Sequence, residues 1–188
     1  MNKTLVINLF GGPGCGKSTT MARLFSDLKT MGYNVEMVSE FAKDLVYEMR
    51  QETMKDELYI FAKQHHRLFR VVDKVDIIIT DRPLLLTNIY VNLYLPQDEY
   101  SNDLTRLVRT TFNTFNNLNI MLNRDGIDYQ TEGRLQDLEE SKKIDDMTLK
   151  ELVLSRNSYS VVPTTNYESI MERVIKAIEW NNEESEEV

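Results

Sequence analysis

Gly11-Gly12-Pro13-Gly14-Cys15-Gly16-Lys17-Ser18 decides the fold. It fits the pattern G-x-x-x-x-G-K-[ST], and its flanks give the pattern its meaning. Residues 4–10 (TLVINLF) form an apolar, β-branched run that reads as a buried parallel strand. Residues 18–30 put Met21, Leu24, Phe25 and Leu28 on one helix face. A strand, a glycine turn and a helix in that order is the context in which the pattern cradles phosphate. The glycines let the backbone curl until successive N–H groups point inward at a positive helix terminus. On this reading Gly12, Gly14, Cys15 and Gly16 line the cradle and Lys17 reaches the β- and γ-phosphates. The Ser18 hydroxyl is the expected Mg²⁺ ligand and Thr19 an α-phosphate contact. Cys15 reads as a small filler, and its being a lone cysteine accords with a reducing compartment.

Working outward, residues 34–38, 76–80 (DIIIT), 118–122 and 159–162 read as four further strands. Helices are expected over 40–50, 55–74, 84–95, 102–115, 134–155 and 167–180. The helix at 55–74 carries an inward stripe of Leu58, Phe61, Ala62, Leu68, Phe69 and Val72. Strands alternating with helices imply an α/β domain of three layers, with a mainly parallel sheet covered on both faces. Ligands of such sheets sit beyond the carboxyl ends of the strands, which here means just after residues 10, 38, 80 and 122. One domain over residues 1–180 accounts for the pattern, and 181–188 (NNEESEEV) is expected to be a disordered acidic tail.

Composition narrows the function classes. The chain has 188 residues, 41% hydrophobic and 28% charged, as ordinary globular domains do. Its formal net charge of −8 opposes a broad nucleic-acid footprint, which draws on Lys and Arg neutralising phosphates. No stretch reaches the roughly 18 apolar residues of a membrane span, so the expected location is cytoplasmic. A guanine-reading N/T-K-x-D is missing, because the Lys74-Val75-Asp76 triplet precedes a strand instead of following one.

The strand ends carry the remaining chemistry. Asp81, after the third strand, is the natural Mg²⁺ partner of Ser18, and Arg82 beside it supplies positive charge to moving phosphoryl oxygens. Glu40, after the second strand, is the better candidate to take a proton from an acceptor hydroxyl, although a helix N-terminal acid would look the same. Residues 123–134, framed by Arg124 and Arg134, read as a lid closing over the triphosphate. On the helix at 55–74, Phe61 is placed to stack on a flat ring and Gln64 to make a two-point contact, though such residues are more often explained as core, for Phe61, and surface, for Gln64. His65 and His66 face different directions and read as surface residues.

The segments GGPGCGKST, SEFAKDL, FAKQHHRLF, ITDRPLLLTNIY and NRDGIDYQTEGRLQDLEESKKIDD together resemble phage-encoded P-loop kinases. These are similar to the ribosylnicotinamide-kinase domain of the bacterial NAD regulator and, more loosely, to deoxynucleoside and nucleoside monophosphate kinases. The resemblance runs from about residue 3 to 178. It implies a P-loop NTPase fold with five parallel strands in the order 2-3-1-4-5, and ATP with Mg²⁺ as donor in the host cytoplasm. It supports Gly16, Lys17, Ser18 and Thr19 as donor contacts, acid chemistry at Glu40 or Asp81, and lid duty for Arg124 and Arg134. Deoxynucleoside kinases follow the acid with Arg-Ser, whereas here Arg82 is followed by Pro83.

Three functions are therefore expected in descending order. The first is ATP-dependent transfer of the γ-phosphate to a hydroxyl or phosphate of a nucleoside, nucleotide or ribosylnicotinamide-like small molecule, by a chain that is free to form a homo-oligomer. The second keeps the chemistry and makes the acceptor DNA, at a hydroxymethylated base or a 5′-hydroxyl end. The third is a slow ATPase switch acting through a partner.

Overall fold

A computed structural model describes residues 4–50, 52–129 and 136–186. Strand β1 (Leu5–Phe10) lies at the centre of a five-stranded sheet. It pairs in parallel with β3 (Ile77–Thr80) on one side and β4 (Asn116–Asn123) on the other. The outer strands β2 (Val35–Val38) and β5 (Ser160–Pro163) complete the order β2-β3-β1-β4-β5, which is the order the resemblance implies.

Every residue of β1 is buried, and the two-residue side-chain period shares them between two cores. Leu5, Ile7 and Leu9 pack against Met21, Leu24 and Leu28 of α1 (Lys17–Thr30) and Ile170, Val174 and Ile178 of α7 (Tyr167–Glu186). Val6 and Phe10 face the opposite layer of α3 (Glu57–Phe69), α4 (Leu86–Tyr94), α5 (Glu99–Phe112) and α6 (Leu138–Leu154). There Phe10 meets Phe112 edge to face at 6.3 Å. Each such side chain stabilises the sheet by about 2 kcal/mol, so the strand that leads into the cradle is firmly held.

Helix starts follow capping chemistry more closely than apolar period. Asp98 and Ser101 form a capping box, which begins α5 at Glu99 where the sequence pattern points to 102. Asp137 and Glu140 form another, which delays α6 to Leu138 from the expected 134. Between β2 and α3, the helix α2 (Ala42–Tyr47) is shorter than the expected 40–50, and a single 3₁₀ turn follows it at Thr53–Lys55.

Two expectations are corrected. The inward stripe of α3 is Glu57, Ile60, Phe61, Gln64 and Leu68, whereas Leu58, Ala62 and Phe69 are exposed. Asp56 caps the helix by accepting from the Tyr59 N–H at 3.0 Å, and the phase counted from that cap turns Leu58 outward. The helix α7 runs on to Glu186, so the stretch expected to be a disordered tail is helical as far as it is described. No glycine or proline interrupts it, and Asn116 Nδ2 donates to Asn181 Oδ1 at 2.6 Å.

Helices α4, α5 and α6 are tied by one buried carboxylate. Glu151 on α6 accepts from Arg109 Nε at 2.8 Å, from Arg109 Nη2 at 2.7 Å and from Asn88 Nδ2 at 2.7 Å. Removing the guanidinium leaves a buried charge unpaired. Arg109→Ala is expected to lower unfolding free energy by about 3 kcal/mol in urea denaturation. Arg106→Ala, which breaks only an exposed pair with Asp103, should cost under about 0.5 kcal/mol; equal losses would refute the assignment.

Candidate active site

The carboxyl ends of β1, β2, β3 and β4 bring Gly11, Ser39, Asp81 and Arg124 to the same edge of the sheet. The glycine loop between β1 and α1 forms the floor. Gly16 caps α1 at φ 89, and a Cβ there would meet Thr164 Cγ2 at 2.6 Å, so both the left-handed backbone and the close neighbour demand glycine. Thr164, just past β5, donates to the Cys15 and Asn123 carbonyls at 2.7 and 3.0 Å, pinning the loop to β4. Cys15 is fully buried in the core beneath the loop, as expected of a filler.

Lys17 folds back over its own loop, its Nζ donating to the carbonyls of Gly11 at 2.8 Å and Gly12 at 2.9 Å. The ammonium is therefore held at the mouth of the nest by two weak neutral acceptors, which phosphate oxygens would outcompete. Ser18 Oγ donates to Asp81 Oδ2 at 2.6 Å, and the other oxygen of Asp81 accepts from the Glu40 backbone N–H at 3.0 Å. A hydroxyl and a carboxylate side by side form a hard-oxygen set that suits Mg²⁺, which takes one or two protein oxygens and completes its shell with water and phosphate. Among the described residues no group of three or more His, Cys, Asp or Glu could hold a metal by itself.

Arg124 belongs to the outer wall of the cradle. It forms an ion pair with Asp145 at 2.6 Å and donates to the carbonyls of Pro13 at 3.2 Å and Ser141 at 3.3 Å. Asp145 in turn accepts from the Gly12 N–H at 2.5 Å. A Cβ on Gly12 would lie 2.4 Å from the Ser141 carbonyl oxygen, so α6 is packed directly on the loop. Arg124, expected to carry lid duty, is anchored by three partners in this structure. Arg134 lies outside the described residues, as do positions 130–133 of the expected lid.

On the other side of Asp81, Arg82 is 4% exposed and pairs with Glu40 at 3.1 Å. Its guanidinium also lies 4.4 Å from the Tyr90 ring centroid. Burial alone would lower its pKa, but Glu40, Tyr90 and Glu57 outweigh burial and hold it above the ordinary value. Burial pushes the Tyr90 phenol up to about 12. A cavity of about 240 Å³ joins this cluster to the cradle, with Lys17, Ser18, Glu40, Glu57, Arg82 and Tyr90 in its wall.

The two residues expected to line that cavity from α3 do other work. Phe61 packs in the core and stacks on His65 at 6.2 Å, which places His65 half-buried among aromatic rings instead of on the surface. Gln64 accepts from the Phe41 N–H at 3.0 Å and donates to the Ser39 carbonyl at 3.4 Å, bracing the turn after β2. The polar residue that α3 gives the cavity is Glu57, one turn before Phe61 on the same stripe. An acid in phase with Ile60, Phe61 and Gln64 is the signal that would have found it.

Glu57 is 2% exposed, and its Oε2 has no hydrogen-bond partner among the described residues. Burial raises its pKa from 4.5 to about 7, with Arg82 opposing and Asp56 and Glu40 adding to the rise. The folded chain therefore keeps a proton that the unfolded chain gives up, and Glu57 subtracts stability as pH climbs from 4.5 towards 7. Measured by chemical denaturation across that window, the native protein should lose stability relative to Glu57→Gln by about 1.4 kcal/mol per pH unit, and parallel curves would contradict it.

Comparison with known proteins agrees with this architecture. A NadR protein in complex with NR superposes with a TM-score of 0.74 at 18% identity, covering 94% of this chain and 52% of that one. NadR in complex with NAD and AMP-PNP gives 0.70 at 17% identity, over 94% and 50%. Thymidylate kinase from Ehrlichia chaffeensis gives 0.61 at 18% identity, over 95% and 100%. The chain spans about half the length of the NadR structures, and at such identities the likeness is one of fold. No curated protein matches in sequence. Residues 6–169 match the family model described as an AAA domain, and the chain belongs to that AAA-domain family, with a P-loop NTPase fold of the kind seen in these structures.

Proposed function

We propose that this chain is an ATP-dependent phosphotransferase that moves the γ-phosphoryl group to a hydroxyl or phosphate of a nucleoside-like small molecule. One observation carries the reading: a single cavity runs from the phosphate cradle to buried Arg82 and its part-buried partners Glu40 and Tyr90. A nucleotide switch needs the cradle alone. An organic pocket opening on the γ-phosphate end is what a transferase needs in addition.

The loop N–H groups and Lys17 would hold the triphosphate, and Ser18 with Asp81 would hold Mg²⁺, which neutralises charge on the phosphate oxygens. Arg82 fixes the Glu40 carboxylate through the 3.1 Å pair and presents positive charge from a water-poor wall, where it acts most strongly. With a hydroxyl acceptor, Glu40 takes the proton as the acceptor oxygen bonds to the γ-phosphorus and the bond to the bridging oxygen breaks, leaving ADP. Asp81 couples the two halves, since one carboxylate positions both Ser18 and the Glu40 backbone.

The test is acceptor-dependent ADP formation with Mg²⁺-ATP across nucleosides, nucleoside monophosphates, ribosylnicotinamide, 5′-hydroxyl DNA and hydroxymethylated DNA. A small acceptor should stimulate ADP release, and Lys17→Ala should reduce the stimulated rate by roughly 100-fold or more with the far-UV spectrum unchanged. Label appearing on DNA alone, or turnover independent of every acceptor, would overturn the reading.

A further inference from the structure

The cavity wall contains a carboxyl, that of Glu57, which pairs with none of the wall's cations among the described residues. The Arg82 guanidinium is already paired with Glu40 at 3.1 Å and covered by Tyr90. Asp56, next to Glu57, is occupied in capping α3. Of the wall's other cations, Lys17 is held by the Gly11 and Gly12 carbonyls and Lys43 lies exposed on α2. Glu57 is left as a buried carboxyl whose Oε2 has no partner, although Gln64, two turns along the same stripe, has both of its polar atoms engaged. Leaving such an oxygen unsatisfied is costly, and an apolar side chain would pack that stripe at no such cost. Stability therefore does not explain Glu57.

Its neighbours in the wall suggest what does. Met54, Ile60, Leu86, Tyr90 and Tyr94 make the rest of that side apolar or aromatic, a surface for a flat ring with few polar groups to orient it. We propose that Glu57 is a specificity residue of the acceptor pocket, its carboxylate accepting a hydrogen bond from a hydroxyl or ring N–H of the acceptor. The proton that Glu57 carries in the empty pocket passes to solvent as the acceptor binds, because the acceptor's own donor then satisfies the carboxylate. The groups that face Glu57 and set this balance are Arg82 from the end of β3, Glu40 from the end of β2 and Asp56 from the α3 cap. This assignment rests on the phosphotransferase reading above.

The experiment is steady-state kinetics of the full chain with Mg²⁺-ATP and three probes: thymidine, adenosine and ribosylnicotinamide. For whichever probe is phosphorylated, Glu57→Ala should raise the acceptor KM roughly ten-fold or more, with the ATP KM within about two-fold of native. The native acceptor KM should fall as pH rises from 6 to 8, since the ionised carboxylate accepts more strongly than the carbonyl oxygen of the protonated carboxyl. Glu57→Gln, which keeps a neutral accepting oxygen and cannot titrate, should recover part of the lost affinity and give a KM flat with pH. An acceptor KM and pH profile unchanged by Glu57→Ala would overturn the assignment and leave the phosphotransferase reading standing. Equal damage to acceptor and ATP KM in both variants would reduce Glu57 to a packing residue and overturn it as well. If the native protein binds Mg²⁺-ATP and phosphorylates none of the three, the small-acceptor reading falls for these probes and the assignment falls with it.

Discussion

The Asp81 carboxylate joins the two halves of the molecule. One oxygen receives the Ser18 hydroxyl from the first turn of α1, and the other receives the Glu40 N–H from the turn after β2. Both contacts depend on the register of three adjacent parallel strands, in which Thr80 stands between Val38 of β2 and Asn8 of β1. A slip of one residue in β3 would turn Asp81 to the opposite face and separate the cradle from Glu40 and Arg82. The two cores that fix β1 and β3 are thus also what fixes the spacing between the glycine loop and the cavity.

The same dependence explains why the site is polar yet well ordered. Each buried charge near the cradle has a named partner: Arg82 with Glu40, Arg124 with Asp145, and Asp81 with a hydroxyl and an amide. Such pairs add little net stability, since desolvation offsets their attraction, but breaking one is expensive. They hold geometry. Glu57 departs from this pattern among the residues of the cavity wall, and the departure is what marks it for a role with a ligand.

Local signals made the fold legible and left half of the site obscure. The cradle could be read because its glycines answer a backbone demand, visible in Gly16 at φ 89 and in the absence of room for a Cβ at Gly12. The strands could be read because burial on both faces leaves a continuous apolar run such as IIIT at β3. The acceptor side depends on the phase of α3, which is set by the Asp56 cap and carries Gln64 into a bracing role and Glu57 into the cavity. Apolar spacing alone placed Leu58 and Phe69 inward, where the structure exposes them. Arg124 was legible as a residue near the phosphates, but its anchoring by Asp145, 21 positions away, is a tertiary contact that no local pattern announces.

The most direct test of the central claim is a crystal structure with Mg²⁺ and a non-hydrolysable ATP analogue. Lys17 Nζ should leave the Gly11 and Gly12 carbonyls for phosphate oxygens, and a metal ion should stand between Ser18 and the Asp81 side. The cavity bounded by Glu40, Arg82 and Tyr90 should remain open in front of the γ-phosphate. An analogue bound elsewhere, or one whose γ-phosphate points away from that cavity, would contradict the account.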